Sequence, residues 1–267
     1  MYLHHWLTGF RAAPHSKRSH SRNRSSFEKL EKRTLLSVQT LVIGTEMTVL
    51  ADANDNIAVG RNSVTGNVQI VANGVVQTGL ATTQAATLTS LSVFADSGDN
   101  SIDLRGLDAG GFTSLSSVIV DGGDGNDLIT GSNTFAESLL GGDGSDTILG
   151  QGGNDTINSG DGDDLVFGGA GADTIDGDDG QDTIDGGDGD DSINAGDGQD
   201  SVTGGNGADS IDGGNGRDTI DGDAGDDTIN GESGRDSLRG GFGNDNILAG
   251  SENDTVDGGE GDDSING

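Results

Sequence analysis

Residues 141–266 divide into fourteen consecutive nonapeptides without an insertion, beginning GGDGSDTIL, GQGGNDTIN, SGDGDDLVF and ending GGEGDDSIN. Position six is Asp in every unit and position eight is always Ile, Val or Leu. Position four is Gly in thirteen, with Glu252 the exception. Residues 122–130 form an earlier unit with Asp127 and Ile129, and residues 131–140 a unit one residue longer with Glu137 at position six. A period this strict means that each repeat is one small structural unit, which buries its apolar side chain only by stacking on its neighbours.

The composition of a unit gives its geometry. Glycines permit the positive φ and tight reversal of a six-residue turn. The remaining three residues make a short strand whose middle side chain points opposite to its neighbours. Position eight therefore faces inward, and positions seven and nine face solvent. Two units make an eighteen-residue coil with a strand on each of two facing sheets: an all-β fold, a parallel β-roll or β-solenoid. Seven coils stacked at ~4.8 Å span roughly 33 Å. Residues eighteen apart should stack, and position nine tests this. One ladder reads Asn158, Asp176, Asn194, Asp212, Asn230, Leu248, Asn266; the other reads Leu149, Phe167, Asp185, Thr203, Asp221, Arg239, Asp257. In neither does an Asp fall on another Asp, a pairing that like-charge repulsion disfavours.

The charge has the same phase. Residues 121–267 hold 37 acids, three Arg and 40 of the 50 glycines, so almost all of the net charge of −33 sits in the repeats. Low hydrophobicity with high net charge usually leaves a chain unfolded. One buried aliphatic per nine ordered backbones does not offset the conformational entropy, so the repeats should be largely unfolded without a cation. Calcium changes the balance, because it accepts six to eight oxygens at flexible geometry, whereas Mg²⁺ prefers strict octahedra and retained water. Seven turns on each side leave six gaps per side, hence about twelve sites bringing about +24 of charge. At ten times Kd each adds about 1.4 kcal/mol. The acidity argues against nucleic acid as a partner, the absence of Cys removes disulfide and thiolate chemistry, and no apolar run reaches the ~18 residues of a membrane span.

The pattern resembles the Gly-Gly-x-Gly-x-Asp-x-aliphatic-x nonapeptide of the repeats-in-toxin, hemolysin-type calcium-binding family, over about 145 residues of the chain. That resemblance implies calcium ligands at position six: Asp127, Asp146, Asp155, Asp164, Asp173, Asp182, Asp191, Asp200, Asp209, Asp218, Asp227, Asp236, Asp245, Asp254 and Asp263. Turn carbonyls join them, as do acidic side chains at position three. On one edge these are Asp143, Asp161, Asp179 and Asp197, followed by Asn215, Ser233 and Ser251; on the other Asp188 and Glu260 stand among Gly152, Ala170, Asn206, Ala224 and Phe242. The edge from Asp143 to Asp197 should therefore bind calcium first and tightest.

Three domains are expected: a basic segment at 1–33, a β-rich N-terminal cap at 34–120 and the calcium-binding roll at 121–267. The first carries eight Lys/Arg, two Glu and all four His, and reads as a disordered or export-related segment. At its end, Leu30-Glu31-Lys32-Arg33-Thr34-Leu35-Leu36-Ser37 resembles the Leu-Glu-Pro-Arg-x-Leu-Leu-Ser motif of large exported bacterial surface proteins, with Lys32 in place of Pro. The second has alternating stretches such as Leu88-Thr89-Ser90-Leu91-Ser92-Val93, which read as strands of a wider solenoid or a sandwich-like cap. Catalysis is not expected. Every His lies in the basic segment, and neither a zinc-protease H-E-x-x-H nor a G-x-S-x-G elbow occurs.

These observations point to a secreted, extracellular calcium-binding protein of bacterial type, folding on external Ca²⁺ and serving a structural or cell-surface role with a surface or matrix partner. An adhesin-like module using the outward Thr147, Thr156, Thr174, Thr183, Thr219 and Thr228 is the alternative, as is a non-catalytic piece of a larger toxin or hydrolase. The chain stops at Gly267, the first residue of another nonapeptide, and oligomerisation through the end at Ile265 is a further expectation.

Overall fold

The computed structural model describes residues 39–267, except 52–53, 63–64, 74 and 78–83; the basic segment and the eight-residue motif at its end lie outside the described residues. Among the described residues two sheets of twelve strands each, parallel except at their first strands, run the length of the roll. In the repeats the strands are as short as the nonapeptide allows. Thr147–Leu149 and Thr174–Asp176 have three residues, while others, such as Thr183–Asp188, extend into the following turn. Successive coils pair with an eighteen-residue offset: Ile157 lies against Ile175 on one sheet and Ile184 against Val202 on the other. Position-eight side chains from Ile148 to Ile247 are all but fully buried. They form one continuous apolar file between the sheets, which explains why position eight admits only aliphatics.

The same two sheets continue upstream of the repeats. Glu46 pairs with Ser90, Ser90 with Ser117, Ile119 with Ser138 and Ser138 with Thr156. The coil thus narrows from 44 residues to 27, then 19, then 18. This is a solenoid with wide early coils, and their longer loops supply the extra core: Leu104, Leu107, Phe112 and Leu115 are buried beside Met47, Val93 and Ile102. Both sheets begin in antiparallel strands. Gln39–Ile43 runs against Glu46–Leu50, and Val68–Ala72 against Asn56–Arg61, followed by Val75–Val76. Among the described residues each sheet thus begins in a hairpin rather than in a parallel coil.

The turns form the two edges of the roll. On the first edge, which leads from the first sheet to the second, four turns add a narrow third sheet made of Asp179–Gly180, Asp197–Gly198, Asn215–Gly216 and Ser233–Gly234. Position four shows why glycine is needed. Gly162 has φ of 143°, and a Cβ there would strike the carbonyl of Gly144 in the preceding turn.

Candidate metal centre

Each position-six aspartate sits two residues before an inward aliphatic, so its side chain turns into the interior of the edge. From Asp127 to Asp245 these residues are 1–3% exposed. One oxygen has a structural task. Asp164 Oδ1 accepts the N–H of Asp146 at 2.7 Å, Asp182 Oδ1 accepts that of Asp164 at 2.9 Å, and Asp200 Oδ1 that of Asp182 at 2.9 Å. The pattern repeats on the second edge, where Asp173 Oδ1 accepts from Asp155 and Asp191 Oδ1 from Asp173, both at 2.8 Å. Successive coils of the repeats are thereby tied together through carboxylates.

The other oxygen has no partner. Oδ2 is buried without a hydrogen bond in Asp127, Asp146, Asp155, Asp164, Asp173, Asp182, Asp191, Asp200, Asp209, Asp218, Asp227, Asp236 and Asp245. A buried carboxylate oxygen in this state is costly unless a cation meets it. The surroundings are suited to one. A Cβ at Gly177 would meet both Asp182 Oδ2 and the Ala195 carbonyl of the next turn, and one at Gly198 would meet the Gly180 carbonyl and Asp200 Oδ1. Between consecutive turns, aspartate oxygens thus lie close to backbone carbonyls of the neighbouring coil. Among the described residues no three acidic side chains converge on one point, so a cation here must draw much of its shell from the backbone. That donor set is all oxygen and mostly neutral, which suits Ca²⁺ and does not suit a transition metal.

Burial raises the affinity of these carboxyls for protons. It pushes Asp146, Asp155, Asp182 and Asp227 up to about 7, and Asp173, Asp209 and Asp218 up to about 6. The same cause raises Asp127, Asp164, Asp191, Asp200, Asp236 and Asp245. Repulsion from neighbouring acids adds to it, and the hydrogen bond from the preceding coil opposes it.

The remaining site residues read from the sequence are placed differently. Asp254 and Asp263, in the last turn of each edge, are half-buried. Asp143, Asp161, Asp179, Asp188 and Asp197 are exposed on the outside of their turns. On the first edge they form a row in which Asp143 pairs with Asp124 on one side and Asp161 on the other, and Asp179 with Asp197. Asn215 then donates to Asp197 at 2.7 Å. On the second edge Asn206 donates to Asp188 at 2.8 Å.

Three members of the ladder were not among the predicted site residues. Asn100 Oδ1 accepts the N–H of Asp55 at 2.8 Å, and the N–H of Asn100 donates to Asp127 Oδ1 at 2.7 Å. The N–H of Glu137 donates to Asp155 Oδ1 at 2.8 Å. Each differs from the later turns in having its side chain satisfied by the chain itself. Asn100 Nδ2 donates to the Gly98 carbonyl at 2.6 Å, Asp55 Oδ1 accepts from Asn73 at 2.6 Å, and both Glu137 oxygens accept from the Ser132 N–H at 2.9 and 3.1 Å. The signal available was an Asp, Asn or Glu two residues before Ile57, Ile102 and Leu139.

A parallel solenoid whose edges carry ordered files of buried carboxylates and carbonyls is a calcium-binding β-roll, a structural metal-binding scaffold rather than a catalytic fold. The family model of the RTX calcium-binding nonapeptide repeat matches residues 119–134, 132–166, 140–175, 167–202, 203–238 and 239–267, more than half of the chain, which therefore belongs to that family. No curated protein matches it. Among the described residues no helix is long and apolar enough to cross a membrane.

Proposed function

We propose that this is a secreted, extracellular protein whose roll, residues 121–267, folds on binding external Ca²⁺ and then serves a structural or cell-surface role. The observation that carries this reading is the file of thirteen buried Asp Oδ2 atoms without a partner. In each gap the ligands would be Oδ2 of one position-six aspartate, a carboxylate oxygen of the next, and turn carbonyls, giving about twelve sites over the regular run. The exposed row from Asp143 to Asp197 concentrates negative potential on the first edge, so calcium should occupy that edge before the second. When bound, calcium supplies the positive charge that the buried carboxylates lack, while the chain supplies the spacing.

The test is a calcium titration of the full chain followed by circular dichroism and size exclusion. The β signal should rise and the hydrodynamic radius fall in millimolar calcium, with little response to equal magnesium. A spectrum indifferent to calcium would end the reading.

A surface-recognition role is the second reading, favoured by one observation. Thr156, Thr174, Ser192, Ser210 and Thr228 are exposed and stack in register on the first sheet. Leu165, which lacks the hydroxyl, lies on the other sheet, and on the first sheet the run ends where Asn246 follows Thr228. Glycan arrays and ice-affinity assays on the calcium-loaded protein separate this role from a purely structural one.

A further inference from the structure

Against its many acids the roll holds three basic residues, Arg217, Arg235 and Arg239. Arg239 is paired, with Nη1 2.9 Å from Asp221 Oδ2 one coil earlier. Arg217 and Arg235 are exposed, and neither makes an ion pair among the described residues. Both occupy position five of consecutive first-edge turns. The register that sets Thr219 against Ser237 places one above the other, about 4.8 Å apart along the stack. Two guanidinium groups in register repel each other, and the turn does not require them, since Gln181 and Gln199 fill the same position in the two preceding coils.

A groove of about 230 Å³ opens at these two residues, walled also by Thr219, Ser237, Asn253 and Thr255. Its exposed polar groups are two guanidinium forks, three hydroxyls and an amide. Asp218 and Asp236 border it from below, but they are 1–2% exposed and their Oδ1 atoms accept N–H groups of the preceding coil. The arrangement is an anion-binding one. A planar guanidinium presents two parallel donors to an oxyanion, and a tetrahedral group between two stacked forks has acceptors for both and for the hydroxyls.

We propose that Arg217 and Arg235 form a site for a sulfate or phosphate group, taken free or as a substituent of an acidic polysaccharide. The proposal rests on the calcium reading in one respect: the buried acids beneath the groove oppose an anion until a cation offsets them.

The full chain in millimolar calcium, with circular dichroism run alongside, is titrated calorimetrically with sodium sulfate and separately with a sulfated hexasaccharide. Arg217→Gln and Arg235→Gln should each weaken binding about tenfold, as loss of a charge-assisted contact does, and Arg239→Gln should leave it unchanged. Tighter binding of the hexasaccharide assigns the site to a polysaccharide, and equal binding to the free ion. Absence of binding by a chain that calcium has folded overturns the proposal, as does binding that survives the double Arg→Gln variant. A chain whose spectrum ignores calcium overturns the calcium reading alone, and the two Arg variants are then compared on the protein as it stands.

Discussion

At the scale of the residue, the two oxygens of one carboxylate have opposite status. Asp182 Oδ1 holds the N–H of Asp164, while Oδ2 is buried with no partner. An Asn in the same place has a different outcome, and the chain contains the comparison: Asn100 keeps the accepting oxygen toward Asp55 and uses its Nδ2 on the Gly98 carbonyl. Replacing Asp164, Asp182 and Asp200 by Asn together should therefore act in opposite directions with and without metal. In chelator the variant should show more β signal than the native chain, since each change removes a buried unsatisfied acceptor costing about 1–3 kcal/mol. In calcium its titration midpoint should rise several-fold, because site affinity follows the number of charged ligands. The corresponding Ala variant should lose order in both conditions, because the N–H groups of Asp146, Asp164 and Asp182 would lose their acceptors. Equal behaviour of the Asn and Ala variants in chelator would show that the orphaned oxygen carries no weight. Circular dichroism with and without chelator distinguishes these outcomes.

At the scale of the turn and coil, the boundary between satisfied and unsatisfied side chains falls inside the solenoid. The Asp55, Asn100 and Glu137 turns meet their own polar demand, and the wide coils that follow Asp55 and Asn100 carry a larger apolar core, with Leu104, Leu107 and Phe112. The turns from Asp127 onward, Glu137 apart, carry an orphaned oxygen over one buried aliphatic each as far as Asp245. Residues 39–120 should accordingly hold structure without calcium and act as the template on which the roll assembles. Hydrogen exchange in chelator should show protected peptides over Glu46–Leu50, Ser90–Phe94 and Ser101–Gly106 and rapid exchange over Thr174–Asp176, Ser192–Asn194 and Ser210–Asp212, which calcium then protects. Uniform exchange along the chain in chelator would refute the template. The strand period, the inward phase of Ile148, Ile157 and Val166, and the eighteen-residue register were legible because they repeat at fixed spacing. The carboxylate-to-amide ladder was not, since it depends on a side chain reaching the coil before it. Asp55 and Asn100 stayed hidden for a related reason: they carry the repeat's local pattern, but their coils are 45 and 27 residues long.

At the scale of the whole molecule, a net charge of −33 and two files of buried acids make folding a competition among protons, calcium and water for the same oxygens. Burial raises the folded-state pKa of Asp146, Asp155, Asp182 and Asp227 to about 7, above the ~3.9 of an unfolded aspartate. For an acid whose pKa is raised on folding, the stabilisation is fully present below the unfolded value and is lost as pH rises through the folded one. Without metal the roll should therefore gain order on acidification, with the β signal in chelator increasing from about pH 7.5 down to about pH 4.5. With calcium the dependence reverses, because the ligands must be deprotonated and each binding event near neutrality releases protons. The calcium midpoint should rise as pH falls from about 7.5 to about 5.5, and calorimetry in buffers of different ionisation enthalpy should detect the released protons. A chelated chain that loses β signal on acidification, or a midpoint independent of pH, would mean that the buried carboxylates do not control folding. The two opposite slopes belong to one set of residues. Moving the chain from neutral, calcium-poor solution into calcium would thus take it from the condition that disfavours its roll to the one that favours it.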